Sequence, residues 1–146
     1  MRIALGCDHR GLSTKQAIME YLPELDCGYC DFGCYEGESV DYPDIAQRVG
    51  EAVASGELDL GVLICGTGIG MSIAANKVKG IRAALCYDAF AALRSRQHND
   101  ANILCLKGEG IEVSLAIEIV RTYLGANFED GRHTRRLDKI KALEMH

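Results

Sequence analysis

Leu63-Ile64-Cys65-Gly66-Thr67-Gly68-Ile69-Gly70-Met71-Ser72 reads as a strand, a turn and the approach to a helix. Gly61 to Ile64 is apolar and rich in branched residues, the pattern of a parallel strand covered on both faces. Glycines then alternate at Gly66, Gly68 and Gly70, and Ser72 to Lys77 reads as helical. Strand, glycine turn and helix start together form an anion site. Backbone N–H groups point outward there, and the helix dipole favours negative charge. Cys65 stands at the lip of this turn, and a thiol at a helix N-terminus ionises more readily than a free one.

Familiar phosphate loops do not match. The dinucleotide fingerprint needs a third glycine where Met71 stands. A Walker loop needs Gly-Lys-Ser/Thr, and Gly70 is followed by Met71. A thiol phosphatase needs an arginine soon after its cysteine, and the next arginine is Arg82. The plain alternative is a tight connection with a core cysteine. Three glycines between strand and helix favour a site.

The flanking chain repeats the strand–helix alternation. Strands are expected at Ile3–Cys7, Tyr29–Phe32, Leu60–Ile64, Ile81–Cys86 and Asn102–Leu106. A first helix shows Ile18, Tyr21, Leu22 and Leu25 at helical spacing, with Ser13 and Gln16 at capping-box distance. Ile45, Val49, Ala52 and Val53 mark a second helix after a loop from Gly33 to Pro43. Further helices run from about Ala89 to Gln97–Asp100, through Val113–Leu124, and from Arg132 to Glu144. This predicts an α/β fold: a doubly wound, five-stranded parallel sheet with a C-terminal helix. The chain is expected to form a single domain over residues 1–146. Ligands of such sheets bind beyond the strand C-termini. The Asp8-His9 turn and the Cys65 loop lie at that edge.

Composition narrows the function classes. The net charge of −5 and the lack of a basic stripe argue against a nucleic-acid partner. No apolar run approaches the roughly 20 residues that span a bilayer. Seven cysteines and an N-terminus that enters a strand at once predict reduced thiols in a cytoplasmic protein.

His9 sits beside Asp8 at the ligand edge. His98-Asn99-Asp100 precedes the fifth strand, so within one chain it belongs at the opposite edge, where its plain reading is a solvated turn; from there it could still reach a neighbouring subunit's site. Arg132 and Arg136, four apart on a helix, share a face and can clamp a phosphate. Their plain reading is a solvated surface. Cys27, Cys30 and Cys34 raise a metal hypothesis, in which Cys27 and Cys30 resemble half a zinc site, but no second such pair or suitable His pair completes it, and Cys30 falls within a strand. No metal and no cofactor are expected.

Gly6-Cys7-Asp8-His9-Arg10-Gly11, Asp41-Tyr42-Pro43, the Cys65–Gly70 loop, Asn76-Lys77, Arg96 to Asp100 and Gly131-Arg132-His133 occur in this order. Together they resemble the type B ribose-5-phosphate isomerases, whose family also holds galactose-6-phosphate and allose-6-phosphate isomerases. The resemblance implies a Rossmann-like α/β fold and metal-free aldose–ketose isomerisation of ribose 5-phosphate through an enediolate. It implies a homodimer or dimer of dimers with shared sites. Cys65 would be the carbon base, and some relatives instead carry a glutamate at the position of Met71. His98 would help open the sugar ring, with Asp8 and Thr67 nearby. Asn99 and the N–H groups of Gly66, Gly68 and Gly70 would hold the enediolate oxygens. Tyr42 would line the sugar site, and His9, Arg132 and Arg136 would bind phosphate. Many relatives carry an arginine about ten residues beyond the His-Asn pair that reaches the neighbouring phosphate, and Glu109 stands there instead. Two alternatives remain. One is isomerisation of a six-carbon sugar phosphate. The other is a non-catalytic module: either a sugar-phosphate sensor, against which the presence of Cys65 and His98 argues, or a nucleotide- or flavin-binding module, against which the missing third glycine argues.

Overall fold

A computed structural model describes residues 1–145. Five strands, β1 (Arg2–Cys7), β2 (Gly28–Asp31), β3 (Leu60–Cys65), β4 (Ala83–Leu85) and β5 (Ile103–Lys107), form one sheet in the order β2-β1-β3-β5-β4. Every pairing is parallel. The helices are α1 (Leu12–Tyr21), α2 (Tyr42–Ala54), α3 (Ile69–Ala75), α4 (Ala89–Asn99), α5 (Val113–Gly125) and α6 (Arg132–Leu143). The predicted doubly wound sheet with a C-terminal helix is therefore present.

Strand side chains alternate between two cores, as the period of two requires. Ile3, Leu5, Val62, Ile64, Leu104 and Leu106 face α1, α4 and α5, where Ile18, Ala92, Ile119 and Tyr123 meet them. Ala4, Leu63, Cys65, Ile103 and Cys105 face α2 and α3, against Ile45, Val49, Met71 and Ala75. Tyr123 is fully buried, and its hydroxyl donates to the Ala101 carbonyl at 2.8 Å. That bond satisfies the one polar atom the ring carries inside. Among the described residues no helix is long and apolar enough to cross a membrane.

Several boundaries differ from the sequence reading. α3 begins at Ile69 rather than Ser72, because Gly68 at φ 80° turns the chain straight into a helix. Gly70 is thus a helix residue. α1 begins at Leu12 with Gly11 as its cap, so Ser13 and Gln16 form no capping box. Leu25 lies in a short 3-10 turn after α1, not in the helix. Tyr42 and Pro43 open α2 instead of closing a loop, with proline in the first turn where its missing N–H costs nothing. β4 is only three residues, so the predicted ends at Ile81 and Cys86 are connections.

Candidate active site

A cleft of about 530 Å³ opens beyond the C-terminal ends of β1 and β3. Asp8, His9 and Arg10 form one wall, Asp41 and Tyr42 another, and Cys65, Gly66, Thr67 and Gly70 the floor. Each group is placed by its element. Asp8 follows β1 and accepts the Arg10 N–H at 2.9 Å, which closes the turn and leaves His9 and Arg10 exposed. Tyr42 is set by the start of α2. Cys65 ends β3 and is only 4% exposed, yet it lines the cleft.

The three glycines answer three separate demands. A Cβ on Gly66 would lie 3.2 Å from the Arg10 side chain. At Gly68 it would come within 2.9 Å of the Leu106 backbone, on a φ that L-residues rarely adopt. At Gly70 it would meet the Tyr42 ring at 2.6 Å, so the absent side chain is what lets that ring lie over the helix start. Thr67 accepts the Ile69 N–H at 3.2 Å and, through its carbonyl, the Tyr87 hydroxyl at 2.8 Å. The loop is further latched by Gly108 N–H to the Cys65 carbonyl at 2.7 Å and Glu109 N–H to the Gly66 carbonyl at 3.1 Å.

The cysteines sort by burial. Desolvation pushes the Cys7 thiol up to about 12, against the opposing pull of Lys15, and lifts Cys86 to about 11. Cys105 is raised further by its complete burial. These three are neutral packing groups. Cys34 is buried with its sulfur 3.9 Å from that of Cys7, apart from Cys27 and Cys30, so the three early cysteines make no common cluster. All seven are free thiols. Cys65 is the one that lines the cleft.

Not every sequence-predicted residue joins this cleft: Gly68 lies outside its lining, with its α-carbon turned toward Leu85 and Leu106. His98 and Asn99 end α4, beside the N-terminal start of β5, at the opposite edge of the sheet from Cys65. Arg132 and Arg136 lie exposed on α6, which packs on α4 at that same edge. There His98 stacks on His133, with ring centroids 4.2 Å apart and planes 15° apart. Glu129 Oε1 is 3.6 Å from His98 and 3.9 Å from His133. Desolvation, then the neighbouring His98 and Arg132, lower the His133 pKa against the pull of Glu129. The three side chains offer ligand atoms within 4.8 Å of one another. The near-parallel rings, however, do not aim their lone pairs at one point as a shared ion requires. Asn99 also borders a second hollow of about 500 Å³ between β4 and the end of α6.

Sequence reasoning gave no site role to Arg10, Val40, Ile69 and Ile73 in the cleft, read Asp41 only as a weak polar pair with Tyr42, and missed the stack of His133 on His98. Arg10 adjoins His9 in the same polar turn, a signal that was available. The stack joins α4 to α6 and leaves no local trace in sequence.

A parallel sheet with a cleft at the C-terminal ends of its strands defines the class as an α/β protein with its ligand site at the sheet edge, and comparison with known proteins gives the family. The family model described as Ribose/Galactose Isomerase matches residues 3–140. Ribose-5-phosphate isomerase B of Escherichia coli is 48% identical, with 99% of this chain and 97% of that one covered. The putative sugar phosphate isomerase YwlF of Bacillus subtilis is 51% identical over 99% and 97%. Among solved structures, ribose-5-phosphate isomerase B of Clostridium thermocellum superposes with a TM-score of 0.97 at 50% identity, covering 99% and 98%. The Mycoplasma genitalium enzyme with bound ribulose-5-phosphate gives 0.94 at 45%, covering 99% and 97%. The chain belongs to the ribose/galactose isomerase family. It is an aldose–ketose isomerase.

Proposed function

We propose that this enzyme interconverts ribose 5-phosphate and ribulose 5-phosphate through an enediolate, with Cys65 as the carbon base. The observation that carries this reading is the position of Cys65. It stands at a strand end, on the cleft floor, directly before the glycine loop. The relative solved with ribulose-5-phosphate, alike in sequence and fold over nearly the whole chain, supports the choice of a pentose phosphate.

The chemistry follows from the layout. The Cys65 thiolate takes the proton from C2 of the open-chain aldose and returns it to C1, while the hydroxyl proton passes from O2 to O1. A proton next to a carbonyl needs both a placed base and a stabilised oxyanion. N–H groups of Gly66, Gly68 and Gly70 serve the oxyanion. Gly68 and Gly70, at the cap and in the first turn of α3, have N–H groups without intrahelical acceptors. Thr67 and Asp8 flank the reacting carbons, Tyr42 covers the sugar, and His9 takes the phosphate.

The remaining groups come from a second copy of the chain. His98 and Asn99 cannot reach Cys65 of their own chain from the far edge of the sheet. In a homodimer, or a dimer of dimers, they complete the partner's cleft. His98 opens the furanose ring, Asn99 holds an enediolate oxygen, and Arg132 and Arg136 grip the phosphate. Ile69 and Ile73, one turn apart on α3 at the cleft edge, are 48% and 59% exposed, as residues awaiting a partner would be.

The direct test is an isomerisation assay on ribose 5-phosphate, allose 6-phosphate and galactose 6-phosphate. The highest kcat/KM is expected on ribose 5-phosphate, and a higher value on either hexose phosphate overturns the substrate assignment. Replacing Arg132 or Arg136 by alanine is expected to raise KM for the phosphorylated sugar by about tenfold, with a smaller change in kcat. An unchanged KM would make them solvated surface charges.

A further inference from the structure

Arg10 and Glu109 face each other across Gly66, with Arg10 Nη1 3.2 Å from Glu109 Oε1. Backbone geometry fixes this meeting. Glu109 N–H is bonded to the Gly66 carbonyl. A Cβ on Gly108 would lie 2.6 Å from the Arg10 carbonyl oxygen, so the two segments touch. On Gly66 itself, a Cβ would sit 3.2 Å from Arg10 Cδ and 3.4 Å from Glu109 Oε1, so the pair spans the glycine loop. Arg10 also lines the cleft. Glu109 therefore stands beside the cleft of its own chain, paired with a residue that lines it.

We propose that Glu109 sets the anion preference of the cleft by holding Arg10 as a neutralised pair, which an incoming phosphate must break to gain Arg10 as a ligand. This deepens the sugar-phosphate reading and rests on it. The two side chains are 60% and 56% exposed, so the pair is weak and exchange is cheap. A guanidinium offers a phosphate two parallel N–H bonds, against the single short contact it makes with Glu109. The carboxylate also repels an approaching dianion. Glu109 thus lowers affinity for a doubly charged ligand twice over, by occupying Arg10 and by its own charge. A cleft tuned in this way binds phosphate firmly only when the sugar contributes as well.

The test is a double-mutant cycle read by competitive inhibition with inorganic phosphate at low salt. Glu109→Gln is expected to lower the inhibition constant by about three- to tenfold. In an Arg10→Ala background the same change is expected to do little. No gain in the single variant overturns the proposal. So does an equal gain in both backgrounds, which would make Glu109 a source of general repulsion. Both residues are exposed, so the variants retain the fold, and thermal melting confirms it. The isomerase reading fails separately, on the sugar panel above, whatever this cycle returns.

Discussion

Replacing Cys65 by serine is expected to lower kcat on ribose 5-phosphate by about two to four orders of magnitude, the usual worth of a placed acid–base group. Serine keeps the size of the side chain, and Cys65 is one methylene and one heteroatom in the layer against α2 and α3. The cleft shape, the glycine loop and the latch from Gly108 to the Cys65 carbonyl all survive, since they are made by backbone. What changes is the ability to ionise. A serine hydroxyl needs a neighbouring base to become an effective acceptor, and the two imidazoles of the proposed site, His9 of the same chain and His98 of the second copy, are committed to the phosphate and to ring opening. KM and melting temperature should therefore stay close to those of the parent protein while turnover collapses. Turnover within tenfold of the parent would remove Cys65 from the proton path. Proton exchange at C2 in deuterated water gives the same answer independently, because it reports the base even where overall isomerisation is limited by another step.

The second large effect is expected at His98. His98→Ala should cost about a hundredfold or more on ribose 5-phosphate, which is presented mostly as a ring, and distinctly less on a sugar phosphate that cannot cyclise. Ring opening needs a group that takes the anomeric hydroxyl proton while the ring oxygen gains one. An imidazole does both near neutral pH. Equal losses on both substrates would assign His98 a positional role through its stack on His133. The same variant tests the division of the site. Purified Cys65→Ser and His98→Ala proteins, each nearly inactive, are mixed and allowed to exchange chains. Half of the pairs are then mixed, and each mixed pair holds one site with an intact cysteine and an intact histidine. Recovery of about a quarter of the parent activity is expected from this isologous symmetry. Failure to recover any activity after demonstrated exchange would place both residues in one chain's site and contradict the arrangement proposed.

Much of this was legible in the sequence for identifiable reasons. The strand at β3 announces itself by its unbroken apolar run, and the helix after it by composition. Local signals of this kind survive folding because they reflect which faces are covered. Cys65, Thr67, Asp8 and His9 were legible because a parallel sheet assigns each loop to an edge before any coordinates exist. The same rule put His98 on the wrong edge for its own chain, and the structure agrees. Strand order was not legible. β5 sits between β3 and β4, and such pairings join residues far apart in the chain, so no local pattern encodes them. The start of α3 was misread because Gly70 looks like turn material, whereas its bare Cα makes room for the ring of Tyr42 from another helix. The Arg10–Glu109 pair was hidden for the same reason. Ninety-nine positions separate its members in sequence, and the backbone latch that unites them is invisible until the sheet is assembled.

The stacked pair of His98 and His133 lies at the edge of the sheet away from the cleft of its own chain. With the site divided as proposed, this has a consequence for heredity. A change at His98 spares the cleft of the molecule that carries it and disables the cleft of its neighbour. The two ends of one chain are then inherited together but exercised apart. In a cell that holds two versions of the gene, a lesion at Cys65 in one and at His98 in the other would partly mask each other. Two lesions at Cys65 would not.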